Sequence, residues 1–435
     1  MDFAWVALLI ILVLFATLGS GIWIALSLFV PAYIGLEFFT SAPTGRVMAT
    51  SIWGWTSQWT LASLPLFVWM GEILFRTRLS EDMFRGLAPW LNRLPGRLLH
   101  VNILACAIFA AASGSSAVTT ATIGKMSLPE LKALGYPEDK SIGTLAGSGT
   151  LGFLIPPSIL LIVYGATADV SVSRLFIAGI IPGLMVVVLF MGYIILWSLY
   201  NPHRLPPPTA PVPLRQKIYE TRRLIPVLLL IVAVIGSMYA GFATATEAAA
   251  LGVVGALLVS LATGTLTRKT LVDSMLGATR TTCMIGFIVA AAGFLTIMMG
   301  YTKIPRQLAE MIDALGLSPF TLIFALTIFY IILGCFLEGI SIIVLSAAII
   351  LPMIERAGFD LIWFGIYLVF MVELALITPP VGFNLFVIQG LTGKNILQIS
   401  RVSLPFFLLL LIGTVLIVAF PELATWLPRR MMSGN

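Results

Sequence analysis

Small side chains that carry hydroxyl groups cluster in one short segment, SGSSAVTTATIG, which runs from residue 113 to residue 124. Gly114 permits a tight turn within it, because glycine adopts left-handed backbone conformations without steric cost. Hydroxyl and carbonyl oxygens are hard ligands that suit a small hard cation, and they lack the negative charges that tight divalent sites use. We therefore expect a Na⁺ site with ligands from this turn, at Ser113, Gly114, Ser115 and Ser116.

A second segment, AGSGTLGFLIPP, is expected to face the first. Its Pro156–Pro157 pair interrupts a long apolar run, and proline removes a backbone N–H and clashes with the preceding helical turn. Lipid supplies no replacement hydrogen-bond partner, so such a break is tolerated only where it is buried in protein or lines a wet cavity. Gly149 and Thr150, just before the prolines, are predicted Na⁺ ligands. The structural alternative is that these small residues only let helices pack closely in lipid.

The second half of the chain contains a similar pair of segments. LEGIS contributes Glu338 and Gly339, and ITPPVGFN contributes Thr378 and Gly382, as further predicted Na⁺ ligands. Glu338 is either an ion ligand or a capping carboxylate that faces water, and the sequence leaves both roles open.

Further polar and ionisable residues inside apolar segments are functional candidates, because such residues are costly in a membrane. Arg280 either attracts an anionic substrate or pairs with Glu72. Glu247 lies near a predicted span start and is expected to assist a helix cap made by Thr244 or Thr246. The candidate substrate contacts are Thr119, Pro156, Ser341, Asn384 and Arg280.

The composition is that of a polytopic helical membrane protein. Of 435 residues, 59% are hydrophobic and 10% are charged, against about 25% charged in ordinary soluble domains. Alternating strand patterning is absent, which excludes an outer-membrane barrel. The net charge of +6 indicates cytoplasmic loop charge rather than nucleic-acid binding. Because no nucleotide-binding loop, metal-ligand spacing or catalytic triad is present, we do not expect an enzyme.

Two apolar segments, 98–128 and 320–354, are interrupted at their centres by polar residues. Arms of about 13–16 residues rise only about 20–24 Å, which falls short of the ~30 Å hydrocarbon core. We interpret each segment as a re-entrant helical hairpin with a polar tip, although a kinked span is also possible. The predicted full crossings are 4–19, 21–38, 47–75, 140–168, 174–200, 223–240, 245–263, 271–300, 360–391 and 402–421.

The basic residues predict the orientation of the chain. With the N-terminus in the periplasm, most of the 25 Lys and Arg residues fall in cytoplasmic loops, as positive-inside topology requires. The N-terminal segment MDFAWVALLI carries an acid and no base, so it is expected to be the first span rather than a signal peptide.

An internal repeat relates the two halves. LPELKALGYP resembles LPMIERAGFD, and the two proline pairs, at 156–157 and 379–380, are separated by the same 223 positions. Each copy contains five crossings, an odd number, so the second copy is predicted to be inverted. Inverted repeats with broken helices are typical of secondary transporters. We predict a first repeat at 1–200 with a broken helix at 140–168, a linker at 201–222, a second repeat at 223–421 with a broken helix at 360–391, and a C-terminal tail at 422–435.

Across essentially its whole length, the chain resembles the large membrane subunit of tripartite ATP-independent periplasmic (TRAP) transporters. The resemblance rests on PLFVWMGEIL, ASGSSAVTTATIG, GTLGFLIPPSI, TEAAALG and ITPPVGFNLFV. It implies sodium-coupled import of an organic acid anion across a bacterial inner membrane by an elevator-type motion. It also implies a separate small four-helix membrane subunit, a periplasmic substrate-binding protein and Na⁺ as the coupling ion. A self-sufficient sodium- or proton-coupled anion symporter of similar fold is the alternative.

Overall fold

The computed structural model describes residues 3–207, 212–307, 310, 318–335, 337–380 and 382–432, and the regular elements in these residues are helices. Short 3₁₀ turns lie at Trp59–Ala62 and Pro202–Arg204. The α-helices are α1 (Phe3–Gly19), α2 (Ile24–Phe39), α3 (Thr44–Thr56), α4 (Ser63–Phe75), α5 (Leu79–Leu91), α6 (Leu99–Ser113), α7 (Ser116–Ala133), α8 (Glu138–Thr150), α9 (Ile159–Thr167), α10 (Val172–Tyr200), α11 (Leu214–Thr221), α12 (Ile225–Tyr239), α13 (Ala245–Ala262), α14 (Arg268–Thr302), α15 (Pro319–Gly334), α16 (Gly339–Arg356), α17 (Leu361–Leu376), α18 (Phe383–Thr392), α19 (Ile396–Ala419) and α20 (Glu422–Met432).

Several helices meet the length and hydropathy that a membrane crossing requires. Among the described residues, α10, α13, α14 and α19 do so individually. Two bent units raise the number to as many as six: α11 with α12, bent by 55°, and the two halves of α16, bent by 61°. The bend in α16 comes four residues before Pro352, whose ring clashes with the carbonyl at that distance. The chain is therefore a multi-pass helical membrane protein.

Both predicted broken helices are interrupted at their proline pairs. The first ends at Thr150 and resumes as α9, and the second ends at Leu376 and resumes as α18. Ser158 begins α9 as its N-cap, accepting a hydrogen bond from Leu161 N–H. Gly382 begins α18 with a φ of 34°, a left-handed conformation that glycine adopts readily. Val381 lies outside the described residues.

Both predicted hairpins are helix–turn–helix units. Helix α6 ends at Gly114, which has a left-handed φ of 62°, and α7 follows immediately and packs against α6. Helices α15 and α16 form the second unit around Glu338, and Phe336 of that turn lies outside the described residues. The described structure thus has a turn within each predicted hairpin, while the re-entrant character of the hairpins and their depth in a membrane stay predictions.

The predicted crossing at 47–75 is not one continuous helix. Helix α3 ends at Thr56, and α4 begins at Ser63 after a 3₁₀ turn. The polar sequence at the interruption supplies local hydrogen bonds: the Thr56 hydroxyl donates to Ile52 O at 2.6 Å, and the Ser63 hydroxyl donates to Thr60 O at 2.8 Å. Hydroxyl side chains that bond nearby carbonyls compete with the regular helix.

The predicted linker and tail both contain helix. Within 201–222, α11 precedes α12, and residues 208–211 lie outside the described part of the chain. Helix α20 occupies most of the predicted tail and packs against α10, while residues 433–435 are outside the described part.

Helix packing forms two groups that meet at the hairpin turns. Helix α14 packs against α2, α3 and α4, and α4 also packs against α13. In the second group α8 packs against α6, α7 and α19, and α18 packs against α7. Contacts of α4 with α6 and of α14 with α16 join the groups. The candidate site lies where these contacts occur.

Candidate ion and substrate site

The first hairpin turn packs directly against the first helix break. The Ile159 N–H, at the start of α9, donates to the Gly114 carbonyl at 3.2 Å. A Cβ atom on Gly114 would lie 2.8 Å from the Pro157 carbonyl oxygen. Glycine is therefore required at this turn both for its left-handed backbone and for its small size.

A second glycine brings the two segments still closer. Gly152 lies in the break, and a Cβ atom there would lie 2.6 Å from the carbonyl carbon and oxygen of Ser115 and from the nitrogen of Ser116. These are backbone atoms, which cannot rotate away as a flexible side chain can. The first turn and the first break are therefore in direct backbone contact.

Ser116 connects the turn to both broken helices. Its hydroxyl lies 2.9 Å from the Gly149 carbonyl and 3.0 Å from Asn384 Oδ1, and both contacts are buried. The Thr120 hydroxyl donates to the Ser116 carbonyl at 2.9 Å. Asn384, a candidate substrate contact from the second broken helix, has its side chain at the first hairpin turn. Asn384 therefore belongs to the first oxygen cluster.

Hydroxyls beside this cluster mostly bond within their own helices. The Ser113 and Thr119 hydroxyls lie 2.9 Å apart, and Thr119 also donates to the Ser115 carbonyl at 2.8 Å. The Thr150 hydroxyl donates to Gly147 O at 2.8 Å, so its proton is directed back into α8. The available ligands at the first turn are therefore neutral hydroxyl, amide and carbonyl oxygens, a set that fits a monovalent cation.

The second hairpin turn is organised by a carboxylate. Glu338 is the N-cap of α16 and accepts hydrogen bonds from Ile340 N–H at 3.4 Å and from Ser341 N–H at 3.2 Å. It also accepts one from the Ser341 hydroxyl at 2.9 Å. Glu338 is partly buried. The capping role that the sequence left open is thus observed.

The second turn approaches α17 by packing rather than by polar contacts. A Cβ atom on Gly339 would lie 2.5 Å from Val372 Cγ1. The Thr378 hydroxyl donates to Leu374 O at 2.6 Å, and Gly382 approaches the Thr378 carbonyl closely. Between the described residues of the second turn and those of the second break, no hydrogen bond is present.

A cavity of about 1040 Å³ brings the two turns together. Ser113 and Ser115 line it from the first turn, Glu338 and Gly339 line it from the second, and Arg280 lines it from α14. Of the candidate substrate contacts, Arg280 is a lining residue, whereas Thr119, Pro156, Ser341 and Asn384 are not. These four are buried, Pro156 in the first break and the other three in helices.

Glu72, which lines the cavity, and Glu247, at the start of α13, both have local partners. Glu72 pairs with Arg76 on its own helix, and Arg76 also donates to the Asp273 carbonyl at 3.1 Å. The alternative pairing of Glu72 with Arg280 is therefore wrong. Glu247 forms a capping box with Thr244, as the sequence predicts, because each side chain accepts a hydrogen bond from the other's backbone N–H.

Sequence reasoning missed the close contact between α4 and the first turn. A Cβ atom on Gly71 would lie 2.9 Å from the Ser113 carbonyl oxygen. Gly71 lies in the WMGEIL segment beside Glu72. The one feature of the sequence that could have indicated this contact is the glycine itself. It also missed the apolar walls of the cavity, which include Trp23, Phe153 and Phe383.

Glu373 is a further buried acid. It is fully buried in α17, and neither of its carboxylate oxygens has a hydrogen-bond partner among the described residues. It does not line the cavity between the two turns.

Comparisons with known proteins agree with this architecture. In fold, the chain is similar to the Alcanivorax borkumensis YdaH transporter, with a TM-score of 0.61, 13% identity, and coverage of 92% of this chain and 97% of that one. In sequence, it is 33% identical over 386 residues to the C4-dicarboxylate TRAP transporter large permease protein DctM of Pseudomonas aeruginosa, covering 88% of this chain and 89% of that protein. It is 30% identical to the 2,3-diketo-L-gulonate TRAP transporter large permease protein YiaN of Escherichia coli, with 87% and 88% covered.

The family match covers nearly the whole chain. The sequence model described as "Tripartite ATP-independent periplasmic transporter, DctM component" matches residues 9–423. This range includes both hairpin units, both broken helices and every lining residue of the cavity. The chain therefore belongs to the DctM family, the large membrane subunits of TRAP transporters.

Proposed function

We propose that this subunit carries out sodium-coupled import of an organic acid anion across the bacterial inner membrane. The observation that carries the proposal is the cavity that the two hairpin turns share with Arg280. A guanidinium is always charged and suits a carboxylate. Relatives named for C4-dicarboxylate and for 2,3-diketo-L-gulonate support an organic acid as the substrate.

The oxygen cluster around Ser116 is the proposed Na⁺ site. It combines a hydroxyl, the Gly149 carbonyl and the Asn384 amide oxygen, which come from the hairpin turn and from both broken helices. Ser113 and Ser115, on the same hairpin turn as Ser116, line the cavity. A cation there would hold turn and break together at the edge of the substrate site, which is the physical basis of coupling. Glu338 with Thr378 and Gly382 forms a second proposed ion region.

The coupling energy is adequate for accumulation. One charge that moves through 100 mV is worth about 2.3 kcal/mol. Two net positive charges carried inward would therefore supply roughly 4–5 kcal/mol before any Na⁺ gradient is counted. At about 1.4 kcal/mol per tenfold, that energy supports roughly a thousand-fold accumulation of substrate.

An elevator motion is the proposed mechanism. The hairpin turns and broken helices would move as a unit past α2, α4 and α14, and the cavity lies along that boundary. Gly71 supports the idea, because α4 presents bare backbone where it meets the Ser113 carbonyl. With a periplasmic N-terminus, the turn between α1 and α2 is cytoplasmic. Gly21 and Trp23 of that turn line the cavity, so the conformation described here would open to the cytoplasm.

Two partners are part of the proposal: a small four-helix membrane subunit and a periplasmic binding protein that delivers the substrate. Both follow from membership of a tripartite family. The test is uptake of radiolabelled organic acids into proteoliposomes that contain the full membrane complex. Uptake should require an inward Na⁺ gradient and the loaded binding protein.

Leaving out the binding protein or Na⁺ tests one alternative mechanism each. Uptake that persists without the binding protein would identify a self-sufficient symporter. Uptake driven by a pH gradient in Na⁺-free buffer would identify proton coupling. Either result would contradict the proposed mechanism.

A further inference from the structure

The charges that line the cavity are unevenly distributed. Among its described lining residues, Arg280 is the one cation, and it has no ion pair there. The other two charged lining residues, Glu72 and Glu338, are acids. Arg76 neutralises Glu72 without lining the cavity itself. A single anionic group therefore has one charged partner, whereas a second anionic group would have none.

The helix N-termini at the two turns also differ in whether their N–H groups already have a carboxylate partner. The N–H groups of Ile340 and Ser341, at the start of α16, already donate to Glu338. The first turn of α7 has no side-chain cap, and Ala117 and Val118 of that turn line the cavity. Arg280 and the start of α7 are thus the two features of the cavity wall that attract anions. The second turn presents a carboxylate instead.

Apart from the hydroxyl residues Ser113, Ser115 and Thr281, the remaining walls are mainly apolar and partly aromatic. Trp23, Phe153, Phe287, Leu376 and Phe383 all line the cavity. Burying a hydroxyl or a carboxylate against such a surface without a hydrogen-bond partner is unfavourable. Burying apolar surface there is favourable. The volume of about 1040 Å³ also leaves room for a body larger than a four-carbon acid.

We propose that the substrate is a monocarboxylate with an apolar, branched or aromatic body, rather than a dicarboxylate or a polyhydroxy sugar acid. This proposal rests on the proposed function and assigns the substrate class of the same site. Arg280 is its specificity-determining residue for the carboxylate. Glu338 disfavours a second carboxylate, because like charges brought together across a binding surface repel. Glu72 contributes little to this repulsion, since Arg76 neutralises it.

The experiment measures binding directly, without a binding protein that imposes its own selectivity. The full chain is reconstituted in nanodiscs in NaCl, and radiolabelled 4-methylpentanoate is used in a scintillation proximity assay. Unlabelled phenylacetate, succinate and gluconate compete. We expect phenylacetate to compete at least tenfold more strongly than succinate or gluconate, equivalent to about 1.4 kcal/mol.

Variants then test the role of Arg280. Arg280→Gln should weaken 4-methylpentanoate binding at least tenfold, and Arg280→Lys should retain more of it than the Gln variant. Arg85→Gln is the matched control, because it removes the same charge from an exposed arginine that pairs with Glu81 at 2.8 Å. It should bind normally. Size-exclusion profiles and thermal midpoints establish that each variant is folded.

The outcomes separate this proposal from the proposed function. Competition by succinate equal to that by phenylacetate would overturn the substrate class and leave sodium-coupled transport untouched. Absence of 4-methylpentanoate binding to folded wild-type protein would also overturn it, as would unchanged binding by Arg280→Gln. If uptake of an organic acid did not depend on Na⁺, that result would instead overturn the proposed function.

Discussion

Substitution of Gly152 by alanine tests the contact between the first hairpin turn and the first helix break. The new Cβ atom would lie 2.6 Å from the Ser115 carbonyl and from the Ser116 nitrogen. Gly152 does not have a left-handed φ, so alanine suits its backbone and only the space is at issue. Because the opposing atoms are backbone, the turn itself must move away from the break.

The expected cost follows from overpacking in well-packed interiors, which is typically about 1–3 kcal/mol. If separating turn and break relieves this strain, the Na⁺ site between them is weakened by a similar amount, or roughly 5- to 150-fold. Uptake into proteoliposomes at graded Na⁺ concentrations measures the change as a rise in the half-maximal concentration. Thermal unfolding followed by tryptophan fluorescence measures any loss of stability.

Gly192→Ala is the matched control, since a Cβ atom on Gly192 in α10 would meet nothing within 4 Å. Replacing an unhindered helical glycine by alanine should stabilise the protein by roughly 0.5–1 kcal/mol and leave the Na⁺ dependence unchanged. If Gly152→Ala matched this control in both stability and Na⁺ dependence, the close contact between turn and break would be refuted.

Four further substitutions test neighbouring parts of the site. Gly71→Ala should reduce the maximal uptake rate more than it raises the half-maximal Na⁺ concentration, because its Cβ would meet the Ser113 carbonyl at 2.9 Å where the two helix groups meet; an unchanged rate would argue against motion along this boundary. Ser115→Ala and Thr378→Ala should each raise the half-maximal Na⁺ concentration while the thermal midpoint is kept, and unchanged values in both would remove these regions from the ion sites. Ser158→Ala removes the N-cap of a fully buried helix start and should destabilise the protein by about 1 kcal/mol, measured by thermal unfolding; no loss would contradict the capping role.

Local chemistry allowed the sequence to predict the breaks and turns. Pro156–Pro157 and Pro379–Pro380 interrupt helices wherever they stand, because proline lacks an N–H and clashes with the preceding turn. Gly114 marks the first hairpin turn through its left-handed backbone. The interruption of the third predicted crossing was missed because its polar residues lie inside an otherwise apolar segment.

Side-chain partners were less accessible to sequence reasoning. Glu247 was predicted correctly because a capping box joins residues only three positions apart. Glu72 has two possible arginine partners in the sequence, and the structure pairs it with Arg76, one helical turn away, rather than with Arg280. Partners four residues apart on a helix are already neighbours, whereas a distant partner depends on how the helices pack.

The sequence by itself determined a helical membrane protein, because that class follows from composition. It also determined two interrupted helices and two polar turns, because proline and glycine act on the local backbone. The tertiary structure alone decided that Ser116 meets Asn384, 268 positions away, and that Arg280 shares a cavity with both turns. No local pattern encodes such contacts. They depend on which helices pack together, and close approach at Gly152 and Gly71 sets the final distances.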